Sequence, residues 1–186
     1  MSLREPRADA RANRERIVGA ARSALAAAGA DPDGVALSAI GRAAGVGQGT
    51  LYRHFPTREH LLVEVYRTEV GELADTATAL LAAHPPWIAL TRYLDRLLDY
   101  VRVKRGVMVA LTATAWRDLS TDQHTRLAAA FSALLTAGRA AGVVRDDVEV
   151  ADVEVLLTGL ARIPQDQWDH RAPRVVALIL EALRAR

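Results

Sequence analysis

The chain contains no cysteine. Disulfides and thiolate chemistry are therefore excluded, a reducing compartment suits it, and any metal would have to be held by histidines and carboxylates. Its five histidines, at 54, 60, 84, 124 and 170, never adopt the His-x-x-x-His spacing that places two ligands on one helix face, and there is no nucleophile elbow. The carboxylate pair Asp146–Asp147 falls in what reads as a solvated loop capping a helix. No metal, no cofactor and no enzymatic activity is expected from such a set. No apolar run of about eighteen residues occurs, and the opening Met1-Ser-Leu-Arg-Glu-Pro has no hydrophobic signal core. The expected location is the cytoplasm, without a membrane partner. Alternating strand patterns with hairpin dipeptides are also missing, so the fold class is all-α.

What remains is a helical chain of 186 residues with 51% apolar content, ample for a sizeable core. The net charge is only +2, but it is unevenly spread. Nine arginines face six acids within residues 1–60, and the remainder is slightly acidic. Arg4, Arg7 and Arg11 suit either an arm reaching into a minor groove or a solvated tail.

The densest information lies in Leu37-Ser-Ala-Ile-Gly-Arg-Ala-Ala-Gly-Val-Gly-Gln-Gly-Thr-Leu-Tyr-Arg-His-Phe55. Ile40, Ala43 and Ala44 share one apolar stripe of a short helix, with Ser38 and Arg42 off it. Gly45 ends that helix because a residue just past a helix end commonly needs positive φ, and Val46 can fold into the angle behind it. In the next helix Leu51 and Phe55 face inward, leaving Gln48, Gly49, Thr50, Tyr52, Arg53 and His54 outside. Every outward side chain except glycine can meet a phosphate or a base edge, the layout of a DNA-reading helix-turn-helix. The alternating glycines Gly45, Gly47 and Gly49 do not form a phosphate loop: no strand precedes them and no Lys-Ser/Thr follows.

The segment from Arg11 to about Tyr66 resembles the DNA-binding domain of the TetR family of transcriptional regulators. The matching residues are Ile17, Ala20-Ala21, Ile40 to Val46, Gly49-Thr-Leu-Tyr-Arg-His-Phe-Pro56 and Arg58-Glu-His-Leu-Leu62. The resemblance implies that Gln48, Gly49, Tyr52, Arg53 and His54 approach DNA and that Arg58 meets phosphate. Ala36 and Gly47 stand where the family often has Thr and Ser caps, the Ala30–Gly34 connection is longer than usual, and Gln48 replaces a frequent Lys while keeping a donor and an acceptor suited to adenine.

The expected architecture has about nine helices, a three-helix DNA-binding head on a larger body. Residues 1–10 form a flexible tail, 11–60 the DNA-binding domain with its motif at about 36–55, and 61–186 the ligand-binding and dimerisation domain. Helix one spans Arg11 to Ala28. Thr57 caps helix four, which carries Glu59 in its first turn and runs to about Ala83, ~40 Å, before Pro85-Pro86 ends it. Breaks are expected at 104–106, 118–121, 142–148 and 164–173. Around 153–163 and 175–183 the apolar residues nearly encircle their helices, which suits burial against a second copy or deep in a monomeric core. The family pairs its last two helices into a four-helix bundle, which places Val153, Leu156, Leu157, Leu160, Val176, Ile179, Leu180 and Leu183 in a homodimer interface. Tyr93, Tyr100, Met108, Thr112, Trp116, His124 and Phe131 are candidates either for an effector pocket or for plain core. The partners implied are a palindromic double-stranded operator, a small, largely apolar effector and a second copy. The resulting function is a ligand-responsive regulator, a repressor released by its effector; a constitutive DNA binder and a helical enzyme are the alternatives.

Overall fold

The computed structural model describes residues 6–28 and 35–185. Arg4 and the Ala30–Gly34 connection lie outside them, as does the side chain of Arg7. The helices are α1 Pro6–Ala28, α2 Leu37–Ala43, α3 Gln48–His54, α4 Arg58–Ala83, α5 Pro86–Ala110, α6 Ala113–Ala140, α7 Val150–Thr158 and α8 Trp168–Leu183. Two 3-10 turns, Gly159–Arg162 and Gln165–Gln167, lie between the last two. Among the described residues there are thus eight α-helices, close to the nine or so expected, and the β structure is one bridge, Val144 to Arg184.

The chain divides into two compact units: residues up to Thr68 with Val103–Trp116, and Glu69–Arg102 with the chain from Arg117 on. In the first, Ile17, Ala21 and Leu25 of α1 are buried together with Ile40, Leu51, Phe55, Leu62 and Val65. The i, i+4, i+8 spacing on α1 produces that stripe, and each large side chain so buried contributes about 1.5–3 kcal/mol. Ala43, expected on the buried face of α2, is exposed, and Gly41 is buried in its place. In the second unit, Tyr93 and Phe131 pack edge to face with centroids 5.7 Å apart. There Glu69 is fully buried and accepts from Arg96 at 3.3 Å, and Arg96 also reaches Glu72 at 3.4 Å. Removing either partner of that buried pair would leave an uncompensated charge.

Several boundaries differ from expectation. Residues 6–10, read as tail, form the first turns of α1. Lys104–Gly106 does not break α5, and Asp118–Thr121 does not break α6; the chain turns instead at Leu111–Thr112. A single glycine costs a helix only about 1 kcal/mol, and buried Gly106 sits among buried Val103, Arg105 and Val107, whose packing outweighs it. Asp, Ser and Thr cost less still. The α8 helix starts at Trp168, before the expected Pro173, because the indole is buried and anchors the first turn while Pro173 forfeits one hydrogen bond. Asp146 and Asp147 do not cap α7; Asp147 binds Arg145, and Asp152 takes the Glu149 N–H at 2.8 Å.

At the end of α6, Gly142 has φ +67° and the amides of Val143 and Val144 both return to the Gly138 carbonyl, at 2.9 and 3.1 Å. A Cβ on Gly138 would fall inside van der Waals contact of Val144 Cγ2. Gly138→Ala is expected to destabilise the protein by about 1–3 kcal/mol despite the better helix propensity of alanine, measured as a lowered urea midpoint.

Candidate nucleic-acid interface

Helix α2 closes with two bonds around Gly45: its own N–H returns to Arg42 O at 3.1 Å and the Val46 N–H to Gly41 O at 3.0 Å. That double closure requires a left-handed residue, and Gly45 has φ +64°. The turn that follows is short, so α3 packs near α2, and Gly41 makes room. A Cβ at Gly41 would lie 3.4 Å from both Leu51 Cδ1 and Val46 O. Neither Ala36 nor Gly47 gives its helix a side-chain cap.

Leu51 and Phe55 point inward and are buried, fixing which face of α3 looks out. That face carries Gln48, Gly49, Tyr52 and Arg53, all exposed, with Tyr52 at 49%; Thr50 and His54 are half-buried beside them. Arg53 folds back along its own helix, donating to Gly49 O at 3.1 Å and Thr50 Oγ1 at 3.3 Å. Ser38 and Arg42 are exposed on α2, and Arg58 is half-buried at the start of α4. Thr57 caps α4 as expected, its Oγ1 accepting the His60 N–H at 3.2 Å. The candidates therefore fall on α2, α3 and the first turn of α4, inside one unit. A polar face with donors of several lengths and no carboxylate in α3 suits a polyanion.

Sequence reasoning missed the residues that steady this face. Arg14 of α1 stacks its guanidinium 4.6 Å from the Phe55 ring centre and pairs with Glu64 of α4 at 3.1 Å. A partner fifty positions away carries no periodic signal. Arg14 reads from the sequence as one more surface charge.

Residues 17–65 match the model of bacterial regulatory proteins of the tetR family, and residues 85–185 match that of the SbtR-like transcriptional regulator C-terminal domain. The chain belongs to the TetR family. A TetR transcriptional regulator from Streptomyces coelicolor is 38% identical over 92% of this chain and 98% of its own, with a TM-score of 0.81. A TetR regulatory protein from Mycobacterium vanbaalenii is 34% identical over 97% of this chain and 100% of its own, with a TM-score of 0.76. A putative TetR-family regulator from Mesorhizobium loti, 19% identical over 93% of this chain and 95% of its own, shares the fold at a TM-score of 0.61. No curated protein matches.

This TetR-family regulator distributes the seven pocket candidates over both units. Tyr93, Tyr100, His124 and Phe131 belong to the second and Met108, Thr112 and Trp116 to the first. Tyr93, Tyr100 and Phe131 are buried, and burial pushes the Tyr93 phenol well above its ordinary pKa. His124 is exposed 3.4 Å from Glu154, and Thr112 caps α6 through the Ala115 N–H at 3.3 Å. Met108 is exposed and Trp116 packs on Tyr66. A cavity of about 510 Å³ lined by Arg139, Val144, Arg145 and Asp147 and another of about 580 Å³ between α1 and α2 contain none of the seven. Of the interface candidates, Val153, Leu160, Val176, Ile179 and Leu183 are buried within the chain, Leu157 and Leu180 are half-buried and Leu156 is exposed. Among the described residues no helix is long and apolar enough to cross a membrane.

Because Ala36 holds the extended cap conformation, φ −74° and ψ 134°, with no side-chain acceptor, Ala36→Ser is expected to stabilise the fold by about 0.5–1 kcal/mol. Thermal melting checks it; an unchanged midpoint would mean that solvent already satisfies those amides.

Proposed function

We propose that this DNA-binding transcription regulator acts as a ligand-responsive repressor that grips a palindromic operator as a two-fold dimer. The observation that carries the reading is the outward polar face of α3 held over buried Leu51 and Phe55. Tyr52, Thr50, His54 and Arg58 hold phosphates, with Ser38 and Arg42 on the flanking backbone. Gln48, helped by Arg53, reads base edges, and Gly49 lets the backbone come close. Among the described residues, the partners that Arg53 would exchange for DNA are Gly49 O and Thr50 Oγ1 on its own helix.

Dimerisation is supported by the apolar surface that α7 and α8 leave uncovered. Val155 is 74% exposed, Leu156 49% and Leu178 70%, with half-buried Leu157 and Leu180 beside them. The buried members of the two helices serve the chain's own core, and this second face supports pairing with another copy. Operator half-sites one groove repeat apart, about 34–36 Å, then select the dimer states whose recognition helices match that spacing. An effector bound unequally by matching and non-matching states shifts the balance, with a coupling of typically 1–3 kcal/mol that must be reciprocal.

Two measurements test the reading. Tyr52→Phe is expected to weaken binding evenly across a panel of operator variants, whereas Gln48→Ala relaxes preference at particular base pairs, each contact contributing ~1–3 kcal/mol; an even loss for both would remove Gln48 from base reading. Leu178→Glu, at an exposed position that leaves the core intact, is expected to shift the protein to monomer in sedimentation and to weaken operator binding steeply through loss of the second half-site. A wild type that binds tightly as a monomer would overturn the dimer.

A further inference from the structure

The cavity of about 510 Å³ in the second unit lies where the end of α6, the 142–147 segment and the chain after α8 meet. Its size falls within the range of small-molecule sites. Val144 and Ala185 give it apolar wall, and Arg139, Arg145, Asp146 and Asp147 bring four charged groups to it. The frame is tied down by backbone: the Val143 and Val144 amides return to Gly138 O, Arg145 N–H to Leu183 O and Ala185 N–H to Val143 O.

Two of the four charges satisfy each other. Asp147 accepts from Arg145 Nε at 2.5 Å and from its Nη2 at 2.6 Å, and Arg145 Nη1 donates to Ala182 O at 3.3 Å. The other two charges are left over. Arg139 is half-buried and donates from Nη2 to Val148 O, a neutral carbonyl, while its Nε–H is sealed from solvent without an acceptor. Among the described residues it has no carboxylate partner. Asp146 is exposed, acts on Arg145 only through space, and among the described residues has no hydrogen bond or ion pair.

A lone carbonyl calls for one neutral donor. A guanidinium brings a charge and a planar fork of five N–H groups, the complement of a carboxylate. Arg139 keeps Nη donors beyond the one given to Val148 O. Two unmatched charges of opposite sign on one cavity with apolar wall complement a molecule that carries both. A dianion would meet Asp146 and Asp147 together and is disfavoured.

We propose that this cavity binds a small amino acid zwitterion, its carboxylate on Arg139, its ammonium on Asp146 and an apolar side chain against Val144 and Ala185. The site goes beyond the regulatory reading and stands or falls independently of it.

The probe is L-leucine, titrated calorimetrically into the full chain beside 4-methylpentanoate, which lacks the ammonium, and L-leucinamide, which lacks the carboxylate. Leucine is expected to bind about tenfold or more tightly than either, because each analogue forfeits a charge-assisted hydrogen bond. Asp146→Asn is expected to erase the preference for leucine over 4-methylpentanoate and to keep that over leucinamide. Arg139→Gln is expected to do the reverse. If Arg139→Gln fails to fold through loss of its Val148 contact, the exposed Asp146→Asn and the three probes still decide the case. No leucine binding at about 10 mM overturns the site. Leucinamide binding as tightly as leucine, or an unchanged preference over 4-methylpentanoate in Asp146→Asn, also overturns it. Inorganic phosphate binding more tightly than leucine overturns the zwitterion in favour of a plain anion site.

Discussion

A seven-residue helix cannot hold itself together in water, because nucleation costs more than two turns of hydrogen bonds return. Helix α3 exists because Leu51 and Phe55 are driven into a core already supplied by Ile17, Ala21 and Leu25 of α1 and Ile40 of α2. Everything the outward face can do to DNA depends on those two side chains. Their burial sets which way Gln48, Tyr52 and Arg53 point, and it sets the rotation of the helix about its axis. Arg14 adds a lid on Phe55 and a link to Glu64, and so ties α1, the end of α3 and α4 to one aromatic ring. That pair is partly exposed and contributes little by Coulomb attraction alone. Its stacking on Phe55 restricts the guanidinium to one place.

The contrast between what the sequence discloses and what it hides follows the range of the interaction. Both ends of helix α4 are legible in the sequence, because Thr57 satisfies an N-terminal amide and Pro85-Pro86 cannot donate to a continuing helix. The Gly45 turn is legible for a similar reason: few residues other than glycine take φ +64° without penalty. Gly106 and the 118–121 segment carry the same residue types as real breaks, yet α5 and α6 run through them. There the outcome is decided by packing across the fold, which local composition does not encode. The site divides the same way. The outward set on α3 follows from periodicity and family likeness, whereas Gly41, Arg14 and the ring pair Tyr66–Trp116 become visible only when distant segments are brought together.

The apolar residues of α7 and α8 teach a related lesson. An all-round apolar pattern does not say which side faces the chain's own core. In the structure Val153, Leu160, Val176, Ile179 and Leu183 fill that core, and Val155, Leu156 and Leu178 remain outside. One helix pair thus carries two apolar faces, one buried in the chain's own core and one exposed. The buried Glu69–Arg96 pair in the same unit shows the opposite economy, a charge kept in the interior where an apolar residue would pack more cheaply.

The short tie after α8 has a further implication. Arg145 N–H reaches Leu183 O at 3.0 Å and Ala185 N–H reaches Val143 O at 3.2 Å, with the Arg184 guanidinium 4.9 Å over the Trp87 ring. Residues that follow a final helix commonly fray, and their amides exchange with solvent almost freely. Here the two backbone bonds close a loop onto the turn that Gly142 creates, so opening one end requires loosening the other. The Ala185 amide should therefore exchange deuterium in step with Arg145 and Val144, as part of one cooperative unit with the C-terminal turn of α6.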